Sequence, residues 1–578
     1  MMRFLLVLGL SLSISLISSA QSAYTKYQVS FTDKKDSPYT IQNPESFLSA
    51  KAIARRQKQG ILIEENDLPV NEKYVKKINS LGAKVLYTSK WFNTAIVQIM
   101  EEGEGRLSAN ILDKIKAFDF VQNVEVLLKY EGKKQRQTSL FGSSSLQDDP
   151  KPRQSAVHTT SDIIDRLAPK PNNVYYGTAF KQLQMLNGDY LHAQGFTGKG
   201  MSVAVMDAGF INVDRLSVFR HLFDSDKIRG TKDFVDGDEY VFAHGTHGTQ
   251  VLSTMAARLP GAYVGAAPDA EYWLLRTEDS RSETSLEEYN WIAAAEFADS
   301  VGVDIINTSL GYSSFDDPKK SYNYKDMDGN TTYISRGADI AASKGILVVS
   351  SAGNKGSKAW KYVTAPADAD SVLSVGAVDK WGSYTAFSST GPTFDGRTKP
   401  NIVAQGKNTA LVQTNGKLKY ANGTSFAAPI IAGLATCLWQ ANLDKTNIEI
   451  LRIIEKSANQ YQTPDYMLGH GLPDFYRALL EVTDDENLKL SKGAVAFVYP
   501  NSQVSQANVY YYAQNNEDIV LELCSVSGST LERHVLNVHK DTPYKFSLDW
   551  LDYPEGVFLV KLINGKQQKV MKAVKMGG

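Results

Sequence analysis

Short apolar runs, rich in valine and isoleucine, recur through the centre of the chain, each bounded by glycine or polar residues. Five of them are "MSVAVMD", "AEYWLLRTED", "VDIINTSLG", "GILVVSSAGN" and "DSVLSVGAV". Continuous apolar runs of this length predict strands that are covered on both faces, as in a parallel sheet. Helical patterns such as "HGTQVLSTMAARL" and "SLEEYNWIAAAEFADSVG" lie between them. The alternation predicts an α/β domain with a doubly wound, mostly parallel sheet over residues 174–482.

A different pattern precedes this domain. Residues 21–130 mix helix and strand: "NEKYVKKINSLG" places apolar residues on one face of a helix, namely Tyr74, Val75, Ile78 and Leu81. The stretch "AKVLYTSKWFNTAIVQIM" reads as two strands, so this part is predicted to be a small α+β domain. Residues 131–173, with "KKQRQ", "GSSS" and "DDPKPRQ", lack apolar periodicity and read as an exposed linker.

The last part of the chain, residues 487–578, is a series of short alternating segments. They include "AVAFVYP", "ANVYYYAQ", "DIVLELCSV", "YKFSLDW", "GVFLVKL" and "QKVMKAVKM". Asn564-Gly565 is a strong hairpin signal between the final two. These segments predict a small β-sandwich.

The N-terminus has the three-part pattern of a secretory signal. Arg3 precedes an apolar run from Phe4 to Ile17, and small residues follow as far as Ala20. Residues 1–20 are therefore predicted to be a signal peptide, because the run is too short to span a bilayer comfortably. No later stretch reaches ~18 uninterrupted apolar residues, so the mature protein is expected to be soluble and without a membrane span.

Composition adds limits on the partners. The chain has 578 residues, of which 43% are hydrophobic and 22% charged, and its formal net charge is -1. No long-range field would attract nucleic acid or an anionic membrane. The two cysteines, Cys437 and Cys524, are expected to be free core residues rather than a disulfide.

Reactive side chains follow several of the predicted elements. Asp207, Ser309-Leu310-Gly311 and Asn354 each stand at the end of an apolar strand. His244 comes just before a helix, and Ser425 opens the almost wholly apolar helix "GTSFAAPIIAGLATCLWQ". Groups at the carboxyl ends of parallel strands collect along one edge of the sheet. That edge is thus predicted to hold an acid, an imidazole, a hydroxyl and a carboxamide.

These four groups suit acyl transfer. A serine hydroxyl needs an adjacent base to accept its proton, and the base needs a carboxylate to fix its tautomer. The tetrahedral oxyanion needs donors already in place, which a side-chain amide and a backbone N–H at a helix N-terminus supply. The helix that begins at Ser425 would then be a rigid mount for the nucleophile.

In chain order, Asp in "VAVMDAG", His in "HGTHGTQ", Asn in "SSAGN" and Ser in "GTSFAAP" resemble the motifs of a subtilisin-like serine peptidase, a subtilase. The resemblance implies that Asp207 orients the base, His244 is the general base and Ser425 is the nucleophile. Asn354 would donate to the oxyanion, and Ser309, Leu310 and Gly311 would pair with the substrate backbone. The expected activity is endopeptidase cleavage through an acyl-enzyme.

The resemblance runs continuously from about Tyr175 to Phe475, with three departures. Gly248-Thr249 replaces the Val-Ala commonly seen after the histidine pair, Phe426 stands where Met is usual, and Asn401 stands where Asp is frequent. None of the three touches the expected triad.

The flanking regions resemble known parts as well. Residues 21–130 are similar to the inhibitory propeptide of subtilases, which implies that the chain's own propeptide is an inhibitory partner. The tail resembles the C-terminal sorting domain of the type IX secretion pathway through "VYPNS", "YPEGVFLVKLINGK" and "VMKAVKM", although Ser502 breaks the usual pattern. The resemblance implies the type IX machinery as a partner and export to the cell surface or medium.

Alternative interpretations remain for single residues. His244 and His247 could be two metal ligands, but no Glu follows as in a zincin helix and no third ligand motif occurs, so neither a metal nor a cofactor is expected in catalysis. His247 is expected to be structural or to support the site. Structural calcium is frequent in the family and has no local motif here. Glu287 and Glu288 either favour basic substrate side chains or face water at a helix start and complement its dipole.

The sequence therefore predicts a secreted serine endopeptidase that is made as a proenzyme and acts on proteins or peptides. One alternative is a catalytically inactive surface binding protein with the same fold. Another is that the tail docks large substrates instead of directing export. "KKQRQ" is either a processing site or part of a solvated linker.

Overall fold

The structure is a computed structural model of the 578-residue chain. It describes residues 23–101, 106–130, 176–482, 495–500, 506–513, 515–540, 542–549, 553–554, 556–565 and 567–575. The predicted signal peptide and the predicted linker lie outside the described residues. The chain divides into two compact units, and the second includes two segments from the N-terminal region, Ser37–Pro69 and Ser89–Phe92.

The first unit is built on a four-stranded sheet with the strand order β2-β3-β1-β4. The elements of the N-terminal region are β1 (Tyr24–Phe31), α1 (Ala50–Lys58), α2 (Glu72–Ser80), β2 (Lys84–Ser89), β3 (Thr94–Met100), α3 (Arg106–Lys116) and β4 (Val121–Tyr130). Ile78 of α2 is fully buried in the core of this unit, and Tyr74, Val75 and Leu81 pack against it. The predicted face of that helix is confirmed.

The second unit contains a seven-stranded sheet with the order β13-β12-β11-β10-β5-β9-β6, in which all neighbours are parallel. Its strands are β5 (Ser202–Asp207), β6 (Ile228–Asp233), β9 (Glu271–Arg276), β10 (Ile305–Thr308), β11 (Leu347–Ser351), β12 (Leu373–Val378) and β13 (Ile402–Gln405). Two short antiparallel pairs accompany it: β7 (Arg258–Leu259) with β8 (Tyr263–Val264), and β14 (Thr409–Val412) with β15 (Leu418–Ala421). The five apolar runs became β5, β9, β10, β11 and β12, which confirms the predicted fold class.

Helices connect these strands and cover the sheet. They are α4 (Phe180–Gln184), α5 (Gly188–Ala193), α6 (Arg220–Asp224), α7 (His247–Ala256), α8 (Leu286–Val301), α9 (Tyr333–Ser343), α10 (Thr424–Ala441), α11 (Asn447–Ser457) and α12 (Phe475–Val482). Among the residues described, α10 alone has the length and apolarity of a membrane span, and 89% of that span is buried inside the protein. It is the core helix that the sequence predicts.

The C-terminal strands form two antiparallel sheets, β16-β17-β20 and β19-β18-β21-β22. Their bounds are β16 (Val495–Pro500), β17 (Gln506–Ala513), β18 (Glu517–Ser525), β19 (Thr530–Val538), β20 (Thr542–Asp549), β21 (Gly556–Asn564) and β22 (Gln567–Lys575). Val509, Leu521 and Val560, from both sheets, lie in one buried cluster, as in a sandwich. The predicted hairpin at Asn564 joins β21 to β22. Strand β19 was not predicted, because charged residues dilute its apolar pattern.

Both cysteines are free and buried, as expected. Cys437 lies in α10 and Cys524 in β18. Cys437 belongs to the core around the parallel sheet, where its thiol donates to the carbonyl oxygen of Ala266 at 3.2 Å.

Candidate active site

A buried carboxylate and an imidazole meet where β5 ends. Asp207, the last residue of β5, is completely buried. Its Oδ2 and Oδ1 lie 2.9 Å and 3.0 Å from Nδ1 of His247, the first residue of α7. The backbone N–H of Ala208 donates to Asp207 Oδ1 at 2.8 Å, which fixes the rotation of the carboxylate. This pair is an acid that holds the orientation of a base.

The histidine in contact with Asp207 is His247, and the prediction that Asp207 orients His244 is wrong. His244 is 46% exposed at its side chain, and its Nε2 lies 3.8 Å from Asp236 Oδ2. The tripeptide His-Gly-Thr occurs twice in succession, at 244–246 and 247–249, so the motif fits the chain in two registers. When the motif is aligned from His247, Gly248-Thr249 is its Gly-Thr pair. These two residues are then no longer a departure from the family pattern.

Glycines allow the two segments of this site to approach closely. A Cβ atom on Gly248 would lie 2.3 Å from the carbonyl oxygen of Gly209 and 2.9 Å from Cβ of Asp207. A Cβ atom on Gly245 would lie 2.4 Å from the carbonyl oxygen of Ala208. Since real Cβ atoms do not occupy such positions, the start of α7 can rest against the end of β5 only with glycine there.

The serine stands at the start of α10, as predicted. Ser425 is 8% exposed, and its hydroxyl donates to the carbonyl oxygen of Ser309 at 3.2 Å. In return the Ser309 hydroxyl donates to the carbonyl oxygen of Ser425 at 2.9 Å. That carbonyl would normally accept from the N–H of residue 429, which is a proline and has none. Pro429 thus frees the Ser425 carbonyl to fasten the helix to the end of β10.

Asn354 is exposed at the end of β11, and its amide is oriented by the same helix. Its Oδ1 accepts from the backbone N–H of Thr424 at 2.9 Å and from the Thr424 hydroxyl at 3.1 Å. Because both bonds use the carbonyl oxygen, the Nδ2 group is turned to donate elsewhere. Gly423, just before the helix, has a φ of 155° and lies close to this amide, with its Cβ position 3.7 Å from Asn354 Nδ2.

The predicted substrate strand continues directly from β10. Ser309 and Leu310 are buried, and Gly311 is exposed. The next residue, Tyr312, exchanges backbone hydrogen bonds with Ala365 at 2.8 Å and 3.1 Å, which fixes the end of the segment. The exposed backbone at Gly311 therefore lies on a rigid support, two residues after the Ser309 that bonds to Ser425.

The environment of His247 has two opposing effects on its pKa. Burial lowers the pKa, while the charge of Asp207 and its hydrogen bond raise it. The second effect is larger, and the pKa of His247 lies above its ordinary value. The ring of Phe426 packs 5.7 Å from the imidazole, centroid to centroid, which gives the residue at this departure from the family pattern a packing role.

Buried acids border the site on the side of α8. Burial raises the pKa of Glu278 to about 8, and its carboxylate accepts from the Tyr312 hydroxyl. Glu287 accepts from the backbone N–H groups of Asp279 and Thr284 at 2.9 Å and 3.0 Å. Both Glu287 and Glu288 are almost fully buried, at 3% and 2% exposure. Glu287 therefore organises the loop before α8, which differs from the expectation of a solvated helix start.

Glu288 has a different partner. Its Oε2 accepts from the Tyr322 hydroxyl at 2.7 Å, and burial raises the pKa of the carboxyl to about 7. Asn401, the third departure, also has a structural role: its Oδ1 accepts from Lys399 Nζ at 3.0 Å, and its Nδ2 donates to Glu455 at 2.6 Å. An amide here links a buried ammonium to a buried carboxylate.

One group of possible metal ligands occurs among the described residues, comprising Asp233, Asp236 and His244, with ligand atoms within 4.8 Å of one another. Arg276 already lies between the two acids, with its NH1 atom 2.5 Å from Asp233 Oδ2 and 2.6 Å from Asp236 Oδ2. A guanidinium in that position supplies the positive charge that the carboxylates need. The absence of a catalytic metal or cofactor stays a prediction, as does structural calcium.

Comparison with known families agrees with this geometry. A model described as "Subtilase family" matches residues 198–471. A second, described as "Peptidase S8 propeptide domain, Bacteroidota", matches residues 26–140. These two ranges include every residue of the site and both N-terminal segments of the second unit.

The alignments with individual relatives cover most of each relative's own length. The "Thermophilic serine proteinase" of Bacillus sp. (strain AK1) is 28% identical over 416 residues, which is 72% of this chain and 93% of the relative. The "Subtilisin" of Bacillus pumilus is 30% identical over 294 residues, or 50% and 94%. A crystal structure of MycP1 from the ESX-1 type VII secretion system aligns with a TM-score of 0.43 at 23% identity, covering 54% of this chain and 88% of that one.

Proposed function

The chain belongs to the subtilase family of serine endopeptidases, and on that premise we propose that it hydrolyses peptide bonds through Ser425, His247 and Asp207. The Ser425 hydroxyl turns from the Ser309 carbonyl to His247 Nε2, which accepts its proton as Ser425 Oγ attacks the substrate carbonyl carbon. His247 Nδ1–H donates to Asp207 throughout, so the imidazolium that forms is stabilised. His247 then gives the proton to the leaving amine, and a water molecule repeats the sequence to release the acyl group.

The oxyanion of each tetrahedral intermediate is stabilised by donors that are already oriented. Asn354 Nδ2 is held by the bonds that its Oδ1 accepts from Thr424. The N-terminus of α10 adds backbone N–H groups and the positive end of the helix dipole. The substrate backbone lies along Ser309, Leu310 and Gly311, which places its scissile carbonyl between Ser425 and Asn354.

The observation that carries this proposal is the bond of 2.9 Å between His247 Nδ1 and the buried Asp207. A carboxylate on one ring nitrogen fixes the tautomer, which leaves the other nitrogen as the proton acceptor. His244, with its exposed ring near Asp236, has no comparable arrangement.

A fluorophosphonate probe tests the assignment, because it labels only an activated serine. We expect the mature protein to label at Ser425, the Ser425→Ala and His247→Ala variants to remain unlabelled, and His244→Ala to label at the parental rate. Loss of labelling in His244→Ala with retention in His247→Ala would reverse the assignment. A mature protein that fails to label would favour the inactive binding protein with the same fold.

The remaining parts of the proposal concern the life of the proenzyme. The match of residues 26–140 to a propeptide domain supports synthesis as a zymogen with the propeptide as inhibitor. The apolar run after Arg3 supports secretion, and the tail motifs support the type IX machinery as the export partner. Deletion of residues 487–578 should then abolish export. Normal export with slow cleavage of large proteins would instead identify the tail as a substrate-docking domain.

A further inference from the structure

One buried hydroxyl beside the candidate active site lacks a hydrogen bond. Thr364 is 1% exposed, and its Oγ1 has no hydrogen-bond partner among the residues that the structure describes. A buried hydroxyl has lost its bonds to water, so leaving it unpaired costs free energy. Most buried polar atoms in folded proteins are therefore paired. The Thr364 hydroxyl points to a partner that the protein itself does not supply.

Two glycines border this hydroxyl, and each belongs to one wall of the proposed substrate cleft. A Cβ atom on Gly311, in the segment that pairs with the substrate, would lie 2.2 Å from Thr364 Oγ1. A Cβ atom on Gly353, which precedes Asn354, would lie 2.7 Å from the same oxygen. Gly353 also has a φ of 104°, which residues with a side chain rarely adopt. The hydroxyl thus lies between two walls that carry no side chain at this level.

The backbone around Thr364 joins the two walls. Ala365 exchanges backbone hydrogen bonds with Tyr312, on the first wall, at 2.8 Å and 3.1 Å. The backbone N–H of Thr364 donates to the carbonyl oxygen of Ala352, on the second wall, at 3.2 Å. The segment crosses the gap from one wall to the other, and Thr364 forms its floor.

The place of the scissile carbonyl decides which substrate residue meets this floor. In the proposed complex the carbonyl lies between Ser425 and Asn354, and the backbone before it runs along residues 309–311. The residue that carries the carbonyl is therefore the one between the two glycine walls. Its side chain has little depth to enter, because Thr364 Oγ1 already occupies the space next to both glycines.

We propose that Thr364 sets the substrate preference: the enzyme accepts a small side chain, alanine or serine, at the residue before the scissile bond and excludes leucine and phenylalanine. The inference rests on the proposed function, since it requires peptide cleavage at Ser425. A larger side chain would have to displace a residue that is bonded to both walls, and packed interiors resist such insertion. Serine has an advantage over alanine, because its hydroxyl pairs with that of Thr364 and satisfies both groups.

Four peptides test this preference. They are identical except for Ala, Ser, Leu or Phe before the scissile bond, and kcat/KM of the mature enzyme is measured for each, with mass spectrometry to identify the bond that is cut. We expect Ala and Ser to be favoured over Leu and Phe by a factor on the order of 10², the discrimination that a pocket of fixed size reaches. Ser should exceed Ala by about 5-fold, which corresponds to one ordinary hydrogen bond.

Substitutions of Thr364 separate the effect of size from that of hydrogen bonding. Thr364→Gly removes the floor, so kcat/KM for the Leu and Phe peptides should rise by about 10-fold or more relative to Ala. Thr364→Val keeps the shape without the hydroxyl, so Ala should stay favoured over Phe while the advantage of Ser over Ala disappears. Thr385→Val is the matched control, because Thr385 is also buried but its hydroxyl already donates to the carbonyl oxygen of Ala377 at 2.9 Å. Neither ratio should change in it.

Labelling by the fluorophosphonate probe keeps this proposal distinct from the proposed function. An enzyme that labels at Ser425 and cleaves the Phe peptide as readily as the Ala peptide would overturn the assignment of Thr364 alone. Unchanged ratios in folded Thr364→Gly, or an equal shift in Thr385→Val, would overturn it too. If Thr364→Gly does not fold, a Ser advantage that persists in Thr364→Val counts against the hydroxyl. A protein that neither labels nor cleaves would defeat the proposed function, and the preference with it.

Discussion

Two aspartates, Asp207 and Asp299, are equally buried and occupy opposite edges of one sheet, yet their partners differ in kind. Asp207 contacts an imidazole, a group that gains and loses a proton near neutral pH. Asp299 contacts two guanidinium groups and an ammonium group, which keep their charge. Burial raises the pKa of Asp299, but Lys90, Arg55 and Arg56 outweigh it and lower that pKa overall. The same side chain thus faces an ionisable base at one edge and permanent cations at the other.

The largest expected effect is at the catalytic edge. Asp207→Asn should lower kcat by about 10⁴-fold, because an amide in place of the carboxylate stabilises the wrong tautomer of His247. Steady-state hydrolysis of a peptide substrate by the mature enzyme measures it. A variant that keeps most of its kcat would remove the distinction between the two aspartates.

A smaller loss of activity is expected when the proposed oxyanion donor is removed. Asn354→Ala should lower kcat by roughly 10²–10³-fold with little change in KM, because its Nδ2 is needed most in the transition state. The exposed Asn415, whose Oδ1 accepts from Lys417 N–H in a turn, provides a matched control as Asn415→Ala. A rise in KM without a fall in kcat would place Asn354 in substrate binding instead.

The smallest effect is a difference in pH dependence between the two edges. His247 must be neutral to accept a proton, and its raised pKa places the acid limb of kcat above pH 6.5, the ordinary value for His. The pH profile of peptide hydrolysis measures this limb. A limb at or below the ordinary value would contradict the Asp207–His247 pairing.

The ionic contacts of Asp299 should not weaken over the same range. Asp299, with its lowered pKa, stays ionised, and its contribution is lost only as the pH falls through that low value. Glu296 accepts from Lys90 N–H at 2.7 Å, and burial, opposed by Lys90, raises its pKa to about 7. A carboxyl with a raised pKa binds more protons in the folded state, so acidification through that value adds stability. Thermal unfolding of the full chain with Ser425→Ala measures this, and a fall in its stability at pH 5 that is absent in Asp299→Asn would show that the contacts of Asp299 titrate after all.

Much of the site follows from the sequence because each group stands at the end of a regular element. Asp207, Asn354 and Ser425 are found where apolar runs end or begin, and parallel strands bring such ends together. The choice between His244 and His247 does not follow, since the repeated tripeptide fits both registers. The hydrogen bonds between His247 Nδ1 and the carboxylate of Asp207 decide it, and the close packing of Gly248 against Asp207 permits them.

The contacts of Asp299 cannot be predicted from sequence patterns for another reason. Arg55 and Asp299 are 244 residues apart, and nothing in the local periodicity of either links them. The N-terminal region reads as one α+β domain, whereas Ser37–Pro69 belongs with the catalytic sheet. The sequence does not reveal the burial of Glu287 and Glu288 either, because two adjacent acids at a helix start usually face water.

Arg55-Arg56 is a dibasic pair of the kind that trypsin-like enzymes attack, but its side chains are only 6% and 1% exposed. A protease from another source that prefers basic residues cannot reach this peptide bond while α1 remains packed in place. Once the helix detaches, the protease can cut this bond, and the cut helix can no longer rebind. A fragment with a new terminus after Arg55 or Arg56 would therefore show that α1 had already detached when the chain was cut.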